Sequence, residues 1–427
     1  MKILKPFAYI SSLFALANIA QAEQWFSQNQ VEGFLSQSLI YSSDHHFLAQ
    51  SDDQASVDMW EAGALFSTKV YKDLRFSGQL LGRKVSEKSG NDLRVDYAFL
   101  SHPLYRSEDS QLTARLGRIR SSFGFYNETR DIPHTRTGVI MPQSVYYDQT
   151  RNSFYSADGA ELHWSKSLGE NALSFQVFYN QPVTDMDEAQ EASQLEPSNL
   201  KGDSGLLAKL AYGSEFNGWR AAITYYRPEY TIDLNPLINV PANAILPGSP
   251  DLNNVQIYAD DSSFYSETVL TSLEYNAFEW AVTAEYSRHK FQSNINLDLA
   301  QTIAGSSALT SLNATYPGVI QQYTQNTIRY LGYEESFYIQ GLYRWSDQHE
   351  TYVRYDYNKQ RDVSFADPRG HFVDVNIGQT WRPSEDWLIR GELHYIDGWS
   401  RLFNRDNMNI SRNRYWHAAM LQIAYRW

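Results

Sequence analysis

Read in steps of two, the final stretch YWHAAMLQIAYRW separates into two files of side chains. Trp427, Tyr425, Ile423, Leu421 and Ala419 form one, and Arg426, Ala424, Gln422, Met420 and Ala418 the other. Successive side chains of a strand point to opposite faces, so one face here is wholly apolar or aromatic and the other mixed. The same period recurs in WEAGALFSTKVY from Trp60, LRFSGQLLGRKV from Leu74, LRVDYAFL from Leu93, ALSFQVFYN, WRAAITYY, VLTSLEYN, WAVTAEYS, SFYIQGLYRW, TYVRYDYN, FVDVNIGQTW and WLIRGELHYI. With the weaker segments 31–41, 111–119, 157–166 and 204–213, it predicts sixteen strands. In LRVDYAFL it puts Leu93, Val95, Tyr97 and Phe99 on one face, against Arg94 and Asp96.

The medium facing the apolar files follows from the rest of the chain. MKILKPFAYISSLFALANIAQA, residues 1–22, has two lysines, a short apolar run and small residues at Ala20 and Ala22, which predicts a cleaved secretory signal peptide. The barrel domain is then 23–427. Cysteine is absent, so disulfides, thiolate metal sites and a cysteine nucleophile are excluded. Beyond the leader no apolar run approaches the roughly 18 residues of a helical span, although 15% of the chain is aromatic. The formal net charge of −13 argues against a nucleic-acid partner. A soluble all-β protein and a transmembrane barrel remain.

Loop lengths and aromatic placement favour the barrel. Connections alternate between short turns and long loops, giving seven turns on one side and eight loops on the other. Trp164, Trp219, Trp280, Trp345, Trp381, Trp387 and Trp427 adjoin short turns or the C-terminus, while Tyr41, Tyr179, Tyr225, Tyr265, Tyr286, Tyr357 and Tyr395 adjoin long loops. Such sorting predicts two interfacial girdles. The polar file carries Arg75, Arg83, Arg94, Asp96, Arg115, Glu161, Arg220, Glu274, Glu285, Arg344, Arg354, Asp356, Arg390 and Glu392. An arginine facing lipid at mid-depth costs about 2–4 kcal/mol, so these predict a wet interior. Sixteen strands enclose a lumen too wide for wall side chains alone to fill.

The longest early loop, 117–156, reads GRIRSSFGFYNETRDIPHTRTGVIMPQSVYYDQTRNSFYS. Its fragments LGRIRSSFG, YNETRD and DQTRNS resemble the Gram-negative porins, near the phosphate-selective group. The resemblance implies an all-β transmembrane antiparallel barrel in the bacterial outer membrane, with periplasmic turns, extracellular loops and a third loop folded into the lumen. It further implies a homotrimer, lipopolysaccharide and bilayer as surroundings, and passive diffusion of small hydrophilic solutes and ions without a cofactor, metal or catalytic residue. The candidate constriction comprises Arg75, Arg83, Arg94 and Arg115 on the wall with Arg118, Arg120, Glu128, Arg130, Asp131, Arg136, Asp148 and Arg151 in the loop. Arginines outnumber carboxylates, which predicts neutral to anion-leaning selectivity. The loop has no lysine, which weighs against a phosphate track. Its aromatics read as anchors against the wall.

Two features point elsewhere. Asp44, His45 and His46 have the residue types of a metal site but no evident further ligand, and His163, His289 and His394 stand at no recognisable catalytic spacing. The competing class is an outer-membrane barrel enzyme or adhesin acting through its long loops. In the first strand Ser36 and Ser38, between Phe34 and Ile40, read as a weak lipid face suited to contact with another subunit.

Overall fold

The computed structural model describes residues 29–85, 92–187, 197–214, 217–240, 255–318, 327–403, 406–407 and 413–427. The expected signal peptide lies outside them. The strands of the first half are β1 (Asn29–Ser42), β2 (Trp60–Tyr71), β3 (Leu74–Lys84), β4 (Asp92–Arg106), β5 (Ser110–Arg120), β6 (Ser156–Leu168), β7 (Asn171–Pro182) and β8 (Pro197–Gly213). Those of the second half are β9 (Gly218–Val240), β10 (Val255–Asn276), β11 (Trp280–Asn296), β12 (Thr327–Arg344), β13 (His349–Gln360), β14 (His371–Trp381), β15 (Trp387–Gly398) and β16 (Tyr415–Arg426). Each pairs antiparallel with its chain neighbours, and β1 closes on β16. Closure leaves no unpaired edge, the condition for a sheet in hydrocarbon.

The seam fixes which face is which. Leu35 pairs with Tyr425, Leu39 with Leu421, and Ser36 with Ala424. The backbones of Gly33 and Trp427 exchange hydrogen bonds of 3.0 and 3.1 Å. The apolar file of β16 is exposed on the outside, with Leu421, Ile423 and Trp427 in it, as are Val353, Val375, Ile377 and Leu393 on neighbouring strands. Both aromatic girdles are present, and no helix among the described residues is long and apolar enough to cross a membrane. The molecule is a sixteen-stranded transmembrane barrel.

Three expectations are corrected. The β1–β16 register turns Phe34, Ser36, Ser38 and Ile40 inward, and Ser36 Oγ reaches Glu61, so the serines form no lipid face. In β4 the register against β3 shifts between Gln79 and Leu80, and this bulge reverses the alternation after Asp96. Leu93 and Val95 stay outside, whereas Tyr97 and Phe99 turn in beneath Arg120 and Arg115, with ring centroids 5.4 and 5.5 Å from the guanidiniums. The strands β8–β12 also run far past the girdle, into stretches expected as loop; β9 and β10 still pair at Ile238 and Ile257. Beyond the girdle neither face of a strand meets lipid, and the apolar alternation that marks strands there is lost.

Loops fill much of the interior. Phe47 and Leu48 of the first loop, Val139 and Ile140 of the third, and Leu402 and Phe403 of the eighth pack with Ile40, Phe372, Ile396 and Trp416 of the wall. A second apolar cluster joins Phe123, Tyr146 and Tyr155 of the third loop to Phe178, Leu207, Tyr226, Leu270 and Tyr338. The water column expected inside the wall is therefore narrowed by apolar packing from three loops.

Candidate functional site

The third loop, 121–155, leaves β5 and crosses the lumen. At its base the Asn127 amide donates to the carbonyls of Ser121 and Tyr155 at 2.7 and 3.2 Å. Gly124 adopts φ +62°, and a Cβ there would lie 2.2 Å from the Tyr146 hydroxyl, so only glycine fits the first bend. Proline at Pro133 opens a short 3-10 turn, and a helix, α1 (Arg151–Tyr155), returns the chain to β6.

Towards β2–β4 the loop is held by an ionic knot. Asp96 of β4 accepts from Arg120 and from Arg151 at 2.7 Å, and Asp131 accepts from the same two arginines. Glu61 of β2 accepts from Arg136 at 2.5 Å and lies 3.6 Å from Arg83. Asp148 accepts from Arg83 and Arg130, both at 3.1 Å. Burial pushes the Asp148 carboxyl up, but Arg83 and Arg130 outweigh it and hold it below its ordinary value.

The opposite wall grips the loop through neutral donors and buried carboxylates. Glu285 of β11 accepts from Tyr146 Oη at 2.6 Å, Tyr338 Oη at 2.8 Å and the Phe125 N–H at 3.0 Å. Burial beside that carboxylate drives the Tyr146 phenol well above its ordinary value, so it remains a donor. Tyr126 donates to Glu274, Arg390 donates to the carbonyls of Gly138 and Arg136, and Glu392 accepts from the Val139 N–H. The loop's lowest point is His134, whose Nε2 sits 3.1 Å from the Asp386 carbonyl in the β14–β15 turn. A cavity of about 420 Å³ opens there, lined by His134, Gln348, Arg382, Glu385 and Arg426.

Of the twelve expected constriction residues, Arg83, Arg120, Arg130, Asp131, Arg136, Asp148 and Arg151 are drawn into the ionic knot. Four keep contact with water on the inner side. Arg94 and Arg115 have side chains 21% and 23% exposed, Glu128 is 42% exposed 3.8 Å from Arg115, and Arg75 lies nearer the turns beside Ser67. Arg115 also pairs with buried Glu161 at 3.0 Å. Arg118 is different: it shares the outward file with Leu116 and is clasped bidentately by Asp158 at 2.8 and 3.0 Å. Wall and loop each carry both signs, Glu61, Asp96, Arg83 and Arg115 on the wall and Arg130, Arg136, Arg151, Glu128, Asp131 and Asp148 in the loop.

Glu61 and Asp374 were not singled out in the sequence; cross-strand partners are set by register and carry no local signal. Of the histidines, His45 is buried under Trp416 with Nε2 on the Asn413 carbonyl, and His46 accepts from the Asp52 N–H, which gives both loop-folding roles. His394 is enclosed between Asp374 at 2.8 Å and Glu392 at 3.2 Å. Asp233, Asp260 and Asp261, near the extracellular end of the β9–β10 hairpin, are the carboxylates among the described residues close enough to share a cation.

A closed sixteen-stranded barrel with an inserted third loop is the fold of the Gram-negative outer-membrane porins. Solved structures bear this out. The anion-selective porin of Comamonas acidovorans matches with TM-score 0.52 at 10% identity, covering 93% of this chain and 99% of that one. OmpT of Vibrio cholerae, expressed in the outer membrane, matches with TM-score 0.51 at 12% identity over 93% and 97%. OmpF of Salmonella typhi, in complex with daunomycin, matches with TM-score 0.51 at 13% identity over 93% and 97%. No protein-family model matches the chain, nor does any curated protein.

Proposed function

We propose that the chain is an outer-membrane channel for passive diffusion of small hydrophilic solutes and ions, with neutral to anion-leaning selectivity. The observation that carries this is the uneven use of the inner charges. The loop's own arginines are consumed in fastening it, while on the β3–β5 wall Arg75 is exposed and Arg94 and Arg115 keep 21% and 23% of their side chains in water, Arg115 beside Glu128 and buried Glu161. Solutes pass along that wall, and the surplus of guanidinium favours anions. Incorporation of the purified barrel into planar bilayers tests the reading: steady ohmic conductance with a reversal potential at or on the anion side of zero is expected. Folded protein that never conducts would return the barrel to the enzyme or adhesin class.

The assembly we propose is a homotrimer. The outer face of β2–β4 includes the small residues Ala62, Ala64, Gly78 and Ala98 between exposed Leu80, Leu93 and Val95, while the outer face of β9–β14 carries Ile223, Val269, Ile339 and Ile377. Small residues let a neighbouring barrel approach closely.

A further inference from the structure

The cavity beneath the third loop's tip is built from four separate pieces of chain. His134 comes from the loop, Asp347 from the β12–β13 turn, Arg382 and Glu385 from the β14–β15 turn, and Arg426 from the end of β16. Backbone bonds fix these pieces to one another. The Arg382 N–H donates to the Gln348 carbonyl at 2.8 Å, and the Arg426 N–H donates at 3.0 Å to the Asp386 carbonyl, where His134 Nε2 also sits. At about 420 Å³ the space lies within the range of small-molecule sites, roughly 300–1,000 Å³.

Its charges are unevenly engaged. Arg426 is exposed and gives Nε to the Glu385 carbonyl at 3.1 Å, its one side-chain bond among the described residues, so both terminal nitrogens stay open. Arg382 gives one terminal nitrogen to Glu350 at 2.7 Å. Arg390, buried behind the tip, donates to Thr380 Oγ1 and to the carbonyls of Pro133 and Arg136, neutral acceptors that leave its charge in place. Burial first, and then Arg426, Arg390 and Arg382, keep the His134 ring neutral, so the loop side of the cavity is positive. Asp347 and Glu385 are exposed and pair with none of these arginines among the described residues.

That division selects an occupant. Arg426 and Arg390 are matched by Asp347 and Glu385, so a simple anion gains no net attraction, and a solute with one charge of each sign finds a partner for both. The β12–β13 and β14–β15 turns stand two strand spacings apart, roughly 10 Å. An extended chain covers about 3.3–3.6 Å per residue, so three residues bridge that gap where a single amino acid does not.

We propose that this periplasmic cavity binds short zwitterionic peptides of about three residues, the terminal carboxylate on Arg426 and Arg382 and the terminal ammonium at Asp347. The site stands apart from the water lane along β3–β5.

Saturation-transfer NMR on the detergent-solubilised full-length barrel, with trialanine as probe, reads binding without needing conductance. Transfer to the peptide methyl protons is expected. Arg426→Gln and Asp347→Asn should each weaken binding about tenfold, the scale of one charge-assisted hydrogen bond. Trialanine acetylated at its N-terminus or amidated at its C-terminus should lose as much. Folding of each variant is confirmed by heat-modifiable mobility on gels; should Arg426→Gln fail to fold, Asp347→Asn and the blocked peptides carry the test. An absence of transfer, unchanged affinity in either folded variant, or acetylated trialanine binding as tightly as the free peptide would overturn the assignment. Conductance without transfer removes the peptide site and leaves the channel; transfer to a barrel that never conducts removes the channel and leaves the site.

Discussion

Arg151 of the third loop donates to Asp96 of β4 at 2.7 Å, and the same guanidinium holds Asp131 of its own loop. One wall carboxylate therefore fixes the loop's return to the barrel, because Asp96 also receives Arg120. Truncating it leaves two buried arginines short of a partner.

Asp96→Ala is expected to lower the stability of the folded barrel by about 3–5 kcal/mol, the scale for breaking a buried pair from one side. Urea unfolding in lipid vesicles measures this. Open-channel current noise should rise in the same variant as the loop loosens; a quiet channel of unchanged stability would show that the knot does not hold the loop.

Selectivity should follow exposure and be indifferent to the buried arginines. Glu128→Gln removes the negative charge beside Arg115 and is expected to raise anion over cation permeability roughly two- to fivefold, about the effect of one unit charge at close range in water. Arg118→Gln, on the outer file with Asp158, should leave the reversal potential where it was. A selectivity change from Arg118 and none from Glu128 would place the water lane elsewhere.

These outcomes separate what the sequence shows from what it hides. Alternation in β16 is plain because Leu421 and Gln422 meet media of opposite character across one sheet. The same rule misplaces Tyr97 and Phe99, since a single bulge against β3 inverts parity without any residue announcing it. The wing of β9–β12 reads as loop because water lies on both of its faces. Loop arginines such as Arg136 look like a filter in the sequence. Their burial depends on Glu61, 75 residues away, which comes within reach only once the barrel closes.

Acid should release the loop's tip. Burial, with Arg426, Arg390 and Arg382 nearby, depresses the His134 imidazole from 6.5 to about 4, so it seats neutral against the Asp386 carbonyl. A depressed folded value means the seating contribution is complete above pH 6.5 and is lost as pH falls towards 4. Loop mobility, followed by a spin label on exposed Thr135, should increase across that window in the wild type. His134→Ala should show mobility already raised at neutral pH and flat through the same range; a wild-type profile that is also flat would remove His134 as the titrating group.

The outer patch over β2–β4 makes the last claim testable without touching the lumen. Ala64 faces outward opposite Leu80, and Gly78 opposite Ala98, so tryptophan at either position adds bulk to the exterior alone. In a lipid-facing position a tryptophan is tolerated and the barrel still folds. If this face meets another copy, the added ring holds the barrels apart. Ala64→Trp is then expected to migrate as folded monomers on unheated gels, with single-barrel conductance preserved, while Val375→Trp, on exposed β14, keeps the wild-type assembly. Trimers persisting in Ala64→Trp and dissociating in Val375→Trp would put the contact on the opposite side of the barrel, and loss of assembly in both would show that bulk anywhere on the exterior disrupts it.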